Sequence, residues 1–319
     1  MYKVRIAAID VGSNALKITV AETQGGSVLN ETVRQRAAVR FGTDVFADGR
    51  LESSTLNAAV SAFQDFRAII EDHAVSRVRA VATSAVRDAA NGNELVQRIA
   101  TETGIELEVI DGEEEAALVM RSVSALAGDP EGYEVVLDIG GGSLEVIVAL
   151  DGCPTALASF PLGAVRLLAE LKTAGLDERA TASLLARHSH DLRALLTLGA
   201  GAAPIRRVVC TGGSSKILPK LARKILVRQV EETVRTSELA VLADCVATWT
   251  LAERIEKFEL RADRADIMVI ALEVLHWAAG LGGAPEILVC RAGLRHGVLL
   301  ALAEEVGRGD RTQASMELS

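Results

Sequence analysis

The 319-residue sequence has no excess of positive charge: 34 lysines and arginines stand against 43 aspartates and glutamates, a net charge of −9. Non-specific binding to nucleic acid is thereby disfavoured. The same balance sets a condition on any anionic substrate, because local basic groups or a metal ion would have to overcome the global repulsion. Cysteine is scarce. Cys153, Cys210, Cys245 and Cys290 are scattered and form no C-x-x-C pair. That removes the spacing of a zinc site and leaves structural thiols in a reducing compartment as the expectation. Long uncharged apolar runs are also missing. The longest apolar region, 267–280, contains Glu273 and His276 and reads as a buried amphipathic helix rather than a membrane span. The chain opens directly into strand-like MYKVRIAAID, without the basic, apolar and small-residue series of a signal segment. The expectation is a soluble, cytoplasmic protein with neither nucleic acid nor membrane as partner.

What is present is an α/β pattern with enough apolar residues, 49%, to bury a sizeable core, and a length that suits one large or two ordinary domains. Residues 3–22 read strand, turn, strand, and a third strand follows Gly25 and Gly26 over 27–39. Helical spacing at 52–71 (Leu56, Val60, Phe63, Phe66, Ile69, Ile70) predicts a helix capped by Ser53 or Ser54. A strand RVRAVAT, a helix ending at Gly104 and a strand IELEVI lead to DGEEEAALV, a helix with acids in its first turn, where the dipole favours them. Residues 131–160 predict three strands in a meander, followed by helices near 163–174 and 178–195. A strand RRVVC, further helices, a strand EILVC, a last helix and a frayed tail GDRTQASMELS complete the chain.

AAIDVGSNALKITVAE, set beside VVLDIGGGSLEVIVAL, shows a weak internal repeat: a strand ending in Asp, a Gly/Ser turn, then a strand. Two homologous halves follow, 1–127 and 128–300, joined by a short hinge at 126–132, with the last helix (about 300–319) packing back on the first half. A glycine turn followed by a helix would suggest a dinucleotide site, but SLEVIVAL alternates as a strand does, so the loop is a hairpin. Taken alone, such a hairpin is equally an ordinary turn. The second copy favours a ligand. Asp10 and Asp138 each end a strand, with Gly12 and Ser13, or Gly140 to Ser143, just beyond. Glycine lets bare N–H groups approach an anion, and serine adds a hydroxyl. A carboxylate beside such a loop makes sense with Mg²⁺ between it and a phosphate. A third element, VVCTGGSSKIL, is strand, loop, helix. It offers Gly212 and Gly213 at a helix start, with Lys216 in the first turn and Lys220, Arg223, Lys224 and Arg228 beyond. An ordinary turn with a solvated basic helix face is the favoured explanation of those distal residues.

These loops in this order resemble the actin-like ATPase superfamily, and more closely the exopolyphosphatase / guanosine pentaphosphate phosphohydrolase family. AAIDVGSNALKITVAE, VATSAVRDAANGNELVQRI, IDGEEEAALV, VVLDIGGGSLEVIV, SFPLGAVRLL, VVCTGGSSK, RADRADIM and AGLRHGVLL carry the resemblance over nearly the whole chain. It implies two ribonuclease-H-like domains with an interdomain active-site cleft, in the short two-domain form. It also implies processive hydrolysis of the terminal phosphate of inorganic polyphosphate, or of the 5′-phosphate of guanosine pentaphosphate, with Mg²⁺ or Mn²⁺. Homodimers are consistent with the family. By position, Glu115 resembles the residue that orients the attacking water; spacing alone does not separate it from Glu113 and Glu114. Glu145 resembles a second essential acid near metal and water, and Asp10 and Asp138 the metal-side aspartates. Gly12, Ser13, Asn14, Gly140, Gly141, Gly142 and Ser143 resemble the phosphate cradle, and Arg87 the arginine that reaches bound phosphate. Arg166, Lys216, Arg36 and Arg40 are further candidates for the groove. The sequence departs from the family pattern at Ala15, where a small hydroxyl is usual, and at Lys17, where arginine is common. It departs again at Leu144, in place of threonine, where a packing change is expected, and at His296, in place of glutamate, where a surface role is expected. Two other readings stay open: an ATPase or kinase on the same fold, and a non-catalytic sensor of polyphosphate or a guanosine alarmone.

Overall fold

The computed structural model describes residues 3–128, 130–227, 232–291 and 293–316. It divides into two compact units, Met1–Ser122 with Leu294–Ser319, and Val123–Gly293. The first unit is built on β1 (Val4–Gly12), β2 (Ala15–Gln24), β3 (Ser27–Ala37), β4 (Arg77–Ala82) and β5 (Leu107–Val109), in the order β3-β2-β1-β4-β5. The first three strands form an antiparallel meander, and β4 and β5 add to it in parallel. β1 is buried along most of its length, which is why it reads as a continuous apolar run. Its residues Ala7, Ile9 and Val11 share a core with Leu16, Ile18, Phe63, Phe66, Leu95 and Ile99. The last four of these come from α2 (Ser53–Asp72) and α4 (Gly92–Thr103), which lie against each other. Gly104 caps α4 in the left-handed conformation, φ 68°, as its position after the last periodic residue implies. The expected serine cap on α2 is not formed. Glu52 occupies the cap position, and Ser54 donates to its carboxylate instead. Two short helices escaped the periodicity: α1 (Phe41–Asp48) and α3 (Ser84–Asp88). α5 (Gly112–Leu126) starts with the three glutamates.

The second unit repeats the plan. β6 (Tyr133–Ile139), β7 (Leu144–Leu150) and β8 (Cys153–Phe160) form the meander, and β9 (Ile205–Thr211), β10 (Thr233–Arg235) and β11 (Glu286–Val289) complete the order β10-β11-β9-β6-β7-β8. Its helices are α6 (Ala164–Thr173), α7 (Thr181–Ala186), α8 (Ser189–Ala200), α9 (Gly212–Ser215), α10 (Leu218–Ile225), α11 (Leu239–Ala247), α12 (Leu251–Phe258), α13 (Ala262–Ala265) and α14 (Met268–Gly282). The helix expected at 178–195 is broken: a 3₁₀ turn at Glu178–Ala180 precedes α7, and Arg187 and His188 separate α7 from α8. α14 is apolar nearly all round rather than amphipathic, because it is the central helix, packed against β6, β9 and helices α6, α7, α8 and α11. The segment Ala262–Gly282 is long and apolar enough to cross a membrane by length and composition, yet 61% of that window is buried inside the fold. Burial pushes the Cys210 thiol up to about 12, so it stays protonated and inert. Cys290 is also buried, whereas Cys153 is exposed.

The last helix, α15 (Leu294–Met316), packs on β1, β2, β3 and β4, and its Val298, Leu299 and Leu302 are buried. It is continuous where a frayed tail was expected; residues 317–319 lie outside the described residues. His296 is half-buried rather than a surface residue, with Nδ1 3.5 Å from Glu31 Oε1. A glutamate at 296 would set a second carboxylate against Glu31. The His296 hydrogen bond, followed by Arg34 and Arg295, lowers the Glu31 carboxyl to about 2. A lowered carboxyl stabilises the fold above its ordinary pKa and loses that contribution as pH falls through the folded value. The unfolding free energy of wild type should therefore exceed that of Glu31→Gln by about 1 kcal/mol near neutrality, after screening at this partly exposed site. The gap should close between pH 4.5 and 2, as measured by denaturant titration across that range.

Candidate functional site

The predicted residues gather at two loci, one in each unit. In the first, β1 and β2 are joined by the two-residue turn Ser13–Asn14, with Gly12 opposite Ala15. Ser13 Oγ lies 3.2 Å from Ser84 Oγ, which ties the turn to α3. The Arg36 guanidinium donates to Asn14 O at 3.3 Å. Asp10 faces Lys17 across the strands, and Nζ sits 3.0 Å from Asp10 Oδ2. Lys17 thus supplies this carboxylate with a point charge. α3 carries Arg87, whose Nη1 donates to Ile110 O at 2.7 Å and lies 4.0 Å from Glu115 Oε2. The structure separates the three glutamates that spacing leaves equivalent. Glu113 is exposed, Glu114 pairs with Arg79, and Glu115 is 6% exposed beside Arg87.

In the second unit the equivalent strand pair sets Asp138 opposite Glu145. Direct cross-strand partners project from the same face, and like charges there are destabilising. Asp138 is 7% and Glu145 0% exposed. One oxygen of each is fixed by a hydroxyl: Thr211 Oγ1 donates to Asp138 Oδ1 at 2.7 Å, and Ser159 Oγ to Glu145 Oε1 at 2.8 Å. Thr211 is the register partner of Asp138 on β9, and Ser159 that of Glu145 on β8, so four polar residues form one row across the sheet. Gly212, at φ +90°, must be glycine: a Cβ there would lie 2.7 Å from Asp138 Oδ1 and 2.6 Å from Ile139 O. Gly213 is less constrained, with Arg264 Nη2 at 3.6 Å. Leu144 is fully buried between Ile139 and Phe160, the packing role expected of it.

The Gly140–Ser143 loop rests on the first turn of α6. Gly163 comes so close that a Cβ would fall 2.3 Å from Gly142 N and 2.4 Å from Gly141 C. Arg166, expected in the groove, donates its Nε to Gly142 O at 2.7 Å. Thr211, Ser159, Ser84 and Gly163 escaped the sequence reading. Only Thr211 and Gly163 had a signal: one directly precedes the glycine pair, the other sits between a strand and a helix in PLGAV. Two distal basic residues of α10 are structural. Lys220 donates to Phe258 O at 2.8 Å, and Lys224 to Lys257 O at 2.5 Å, so both cap the end of α12. Arg228 lies outside the described residues.

The donor set in the second unit fits a divalent cation. Two buried carboxylates are opposed on one face, and a cation held there would offset their repulsion. Among the described residues no group of three or more His, Cys, Asp or Glu converges. Mg²⁺ is commonly held by one or two carboxylates, with water and phosphate oxygens in its remaining positions.

Two meander-plus-parallel sheets, each with an aspartate ending the strand before a glycine hairpin, define a protein of the actin-like ATPase fold. Residues 19–306 match the Ppx/GppA phosphatase family, and the chain belongs to that family. It is similar to exopolyphosphatase 1 of Mycobacterium tuberculosis, 29% identical over 93% of this chain and 87% of that one. It is also similar to an uncharacterized protein of Streptomyces coelicolor, 30% identical over 94% and 91%. Among solved structures, the Ppx/GppA family member of Aquifex aeolicus superposes with a TM-score of 0.77 at 25% identity, covering 95% of this chain and 99% of that one. An exopolyphosphatase from Cytophaga hutchinsonii superposes at 0.84 and 24% identity, covering 94% and 98%, a likeness of fold.

Proposed function

We propose that the protein is a phosphoanhydride hydrolase that removes the terminal phosphate of inorganic polyphosphate. The observation that carries this reading is Glu115, the one buried glutamate of three, held at a helix start beside Arg87. The named function of the mycobacterial relative supports polyphosphate as the substrate. In phosphoryl transfer the protein mainly positions groups and offsets charge. Glu115 accepts a hydrogen bond from water and aligns it with the terminal phosphorus, taking its proton as the bond to phosphorus forms. Arg87 neutralises terminal phosphate oxygens. Backbone amides of the 140–143 loop donate to oxygens whose charge grows as the bridging P–O bond breaks. Asp138 and Glu145 would hold Mg²⁺ or Mn²⁺, which supplies charge neutralisation for the phosphate chain. Within the first unit, Asp10 pairs with Lys17 at the β1–β2 hairpin, whose Gly12, Ser13 and Asn14 are candidates for phosphate contacts of their own.

One observation favours guanosine pentaphosphate instead. A cavity of about 90 Å³ is lined by Gly213, Ile217, Leu260 and Met268 together with Lys216 and Arg264. Apolar walls and two cations suit a base and a phosphate. The two readings part in a comparison of phosphate release from long-chain polyphosphate, guanosine pentaphosphate and ATP with Mg²⁺ present. Polyphosphate should turn over fastest. Faster release from guanosine pentaphosphate would move the assignment to that substrate, and ATP turnover alone would point to a nucleotide-dependent enzyme.

A further inference from the structure

The glycine loop is held from behind by hydrogen bonds that run one way. Ala164 N–H donates to Gly140 O at 3.1 Å, and Val165 and Arg166 N–H to Gly141 O at 2.8 and 3.0 Å. Arg166 Nε completes the set at Gly142 O. All three glycine carbonyls are thereby committed to α6. In a trans peptide the N–H lies opposite the C=O, so the amides of Gly141, Gly142 and Ser143 turn away from the helix. The first turn of a helix carries unpaired N–H groups and partial positive charge. Here that turn is consumed by carbonyls. The aligned peptide dipoles of the loop extend the positive end of α6 outward to the loop amides.

We propose that Arg166 is a positioning residue for the phosphate-binding loop, acting through the Gly142 carbonyl rather than through its charge. The proposal rests on the hydrolase reading above. An arginine near a phosphate site ordinarily implies a direct ionic contact, but Nε is the donor here and its acceptor is protein backbone. Removing that bond frees the Gly142–Ser143 peptide to rotate and takes the Ser143 amide out of line with the anion.

Glutamine separates the two roles, since its Nε2 lies the same number of bonds from the backbone as arginine Nε and donates without charge. The experiment compares wild type, Arg166→Ala and Arg166→Gln in two assays: kcat and KM for phosphate release from polyphosphate, and equilibrium binding of inorganic tripolyphosphate in EDTA, which needs no turnover. Arg166→Ala should lower kcat about tenfold or more and weaken tripolyphosphate binding, because misplaced donors lose transition-state contacts. Arg166→Gln should return both to within about threefold of wild type. A glutamine variant as impaired as alanine would overturn the proposal in favour of a charge contact, and wild-type behaviour of Arg166→Ala in both assays would overturn it outright. If wild type hydrolyses none of the substrates, the hydrolase reading fails. The order of tripolyphosphate affinities then still decides the positioning role.

Discussion

Replacing Glu115 by alanine lowers the rate of phosphate release about a thousandfold, with KM nearly unchanged and the melting temperature within a few degrees of wild type. The magnitude follows from the role. Losing a positioned general base costs about two to four orders of magnitude, and a thousandfold is about 4 kcal/mol of transition-state stabilisation. KM holds because the water, not the phosphate chain, loses its partner. The fold tolerates the change because the site is the first turn of α5, where alanine is a good helix former and the lost dipole interaction is about 0.3–1 kcal/mol. Glu114→Ala is the control. That carboxylate pairs with Arg79, so its loss should leave turnover within about twofold, since exposed ion pairs contribute little. Equal losses in the two variants, read in the same phosphate-release assay, would remove the distinction between them.

Gly163→Ala is the second large effect. The residue has φ −71° and ψ 148°, a conformation alanine adopts without strain, so the cost is steric alone. The atoms in the way are backbone of Gly141 and Gly142 and have no rotamer to yield. The loop must shift away from α6. That costs about 1–3 kcal/mol of stability, as overpacking does, and moves the loop amides enough to reduce turnover about a hundredfold. Gly280→Ala, in α14 with open space around its Cβ, should instead stabilise by about 0.5–1 kcal/mol. Thermal unfolding and phosphate release of the two variants measure both effects. A Gly163→Ala protein with wild-type stability and rate would mean that the loop is not braced by the helix.

Local patterns carried much of this architecture, and long-range pairings carried what they missed. The strand–glycine–strand repeat is visible because each half sets an apolar strand ending in aspartate before a Gly/Ser turn and a second strand, and each copy forms an antiparallel hairpin. The Gly104 cap is local and was legible. What the hairpins imply about neighbours was not. Asp10 meets Lys17 and Asp138 meets Glu145 at the same register position, so one strand row is an ion pair and its counterpart a pair of acids. Aligning the repeats places Lys17 beside Glu145, but the consequence needs the paired strands. The clamp of α6 on the loop joins residues more than twenty positions apart by backbone bonds, which no side-chain pattern encodes. Lys220 and Lys224, expected on a solvated basic helix face, instead cap α12, a contact set by tertiary packing. The broken helix at 187–188 kept its apolar spacing through the break, which periodicity alone reads as continuous.

The central claim is attack of water on the terminal phosphorus, and isotope transfer tests it most directly. Polyphosphate is hydrolysed in ¹⁸O-labelled water, and the released phosphate and the shortened chain are analysed by mass spectrometry. The account predicts one ¹⁸O atom in each released phosphate and none in the chain. Label in the chain end, or no phosphate released at all, would contradict it.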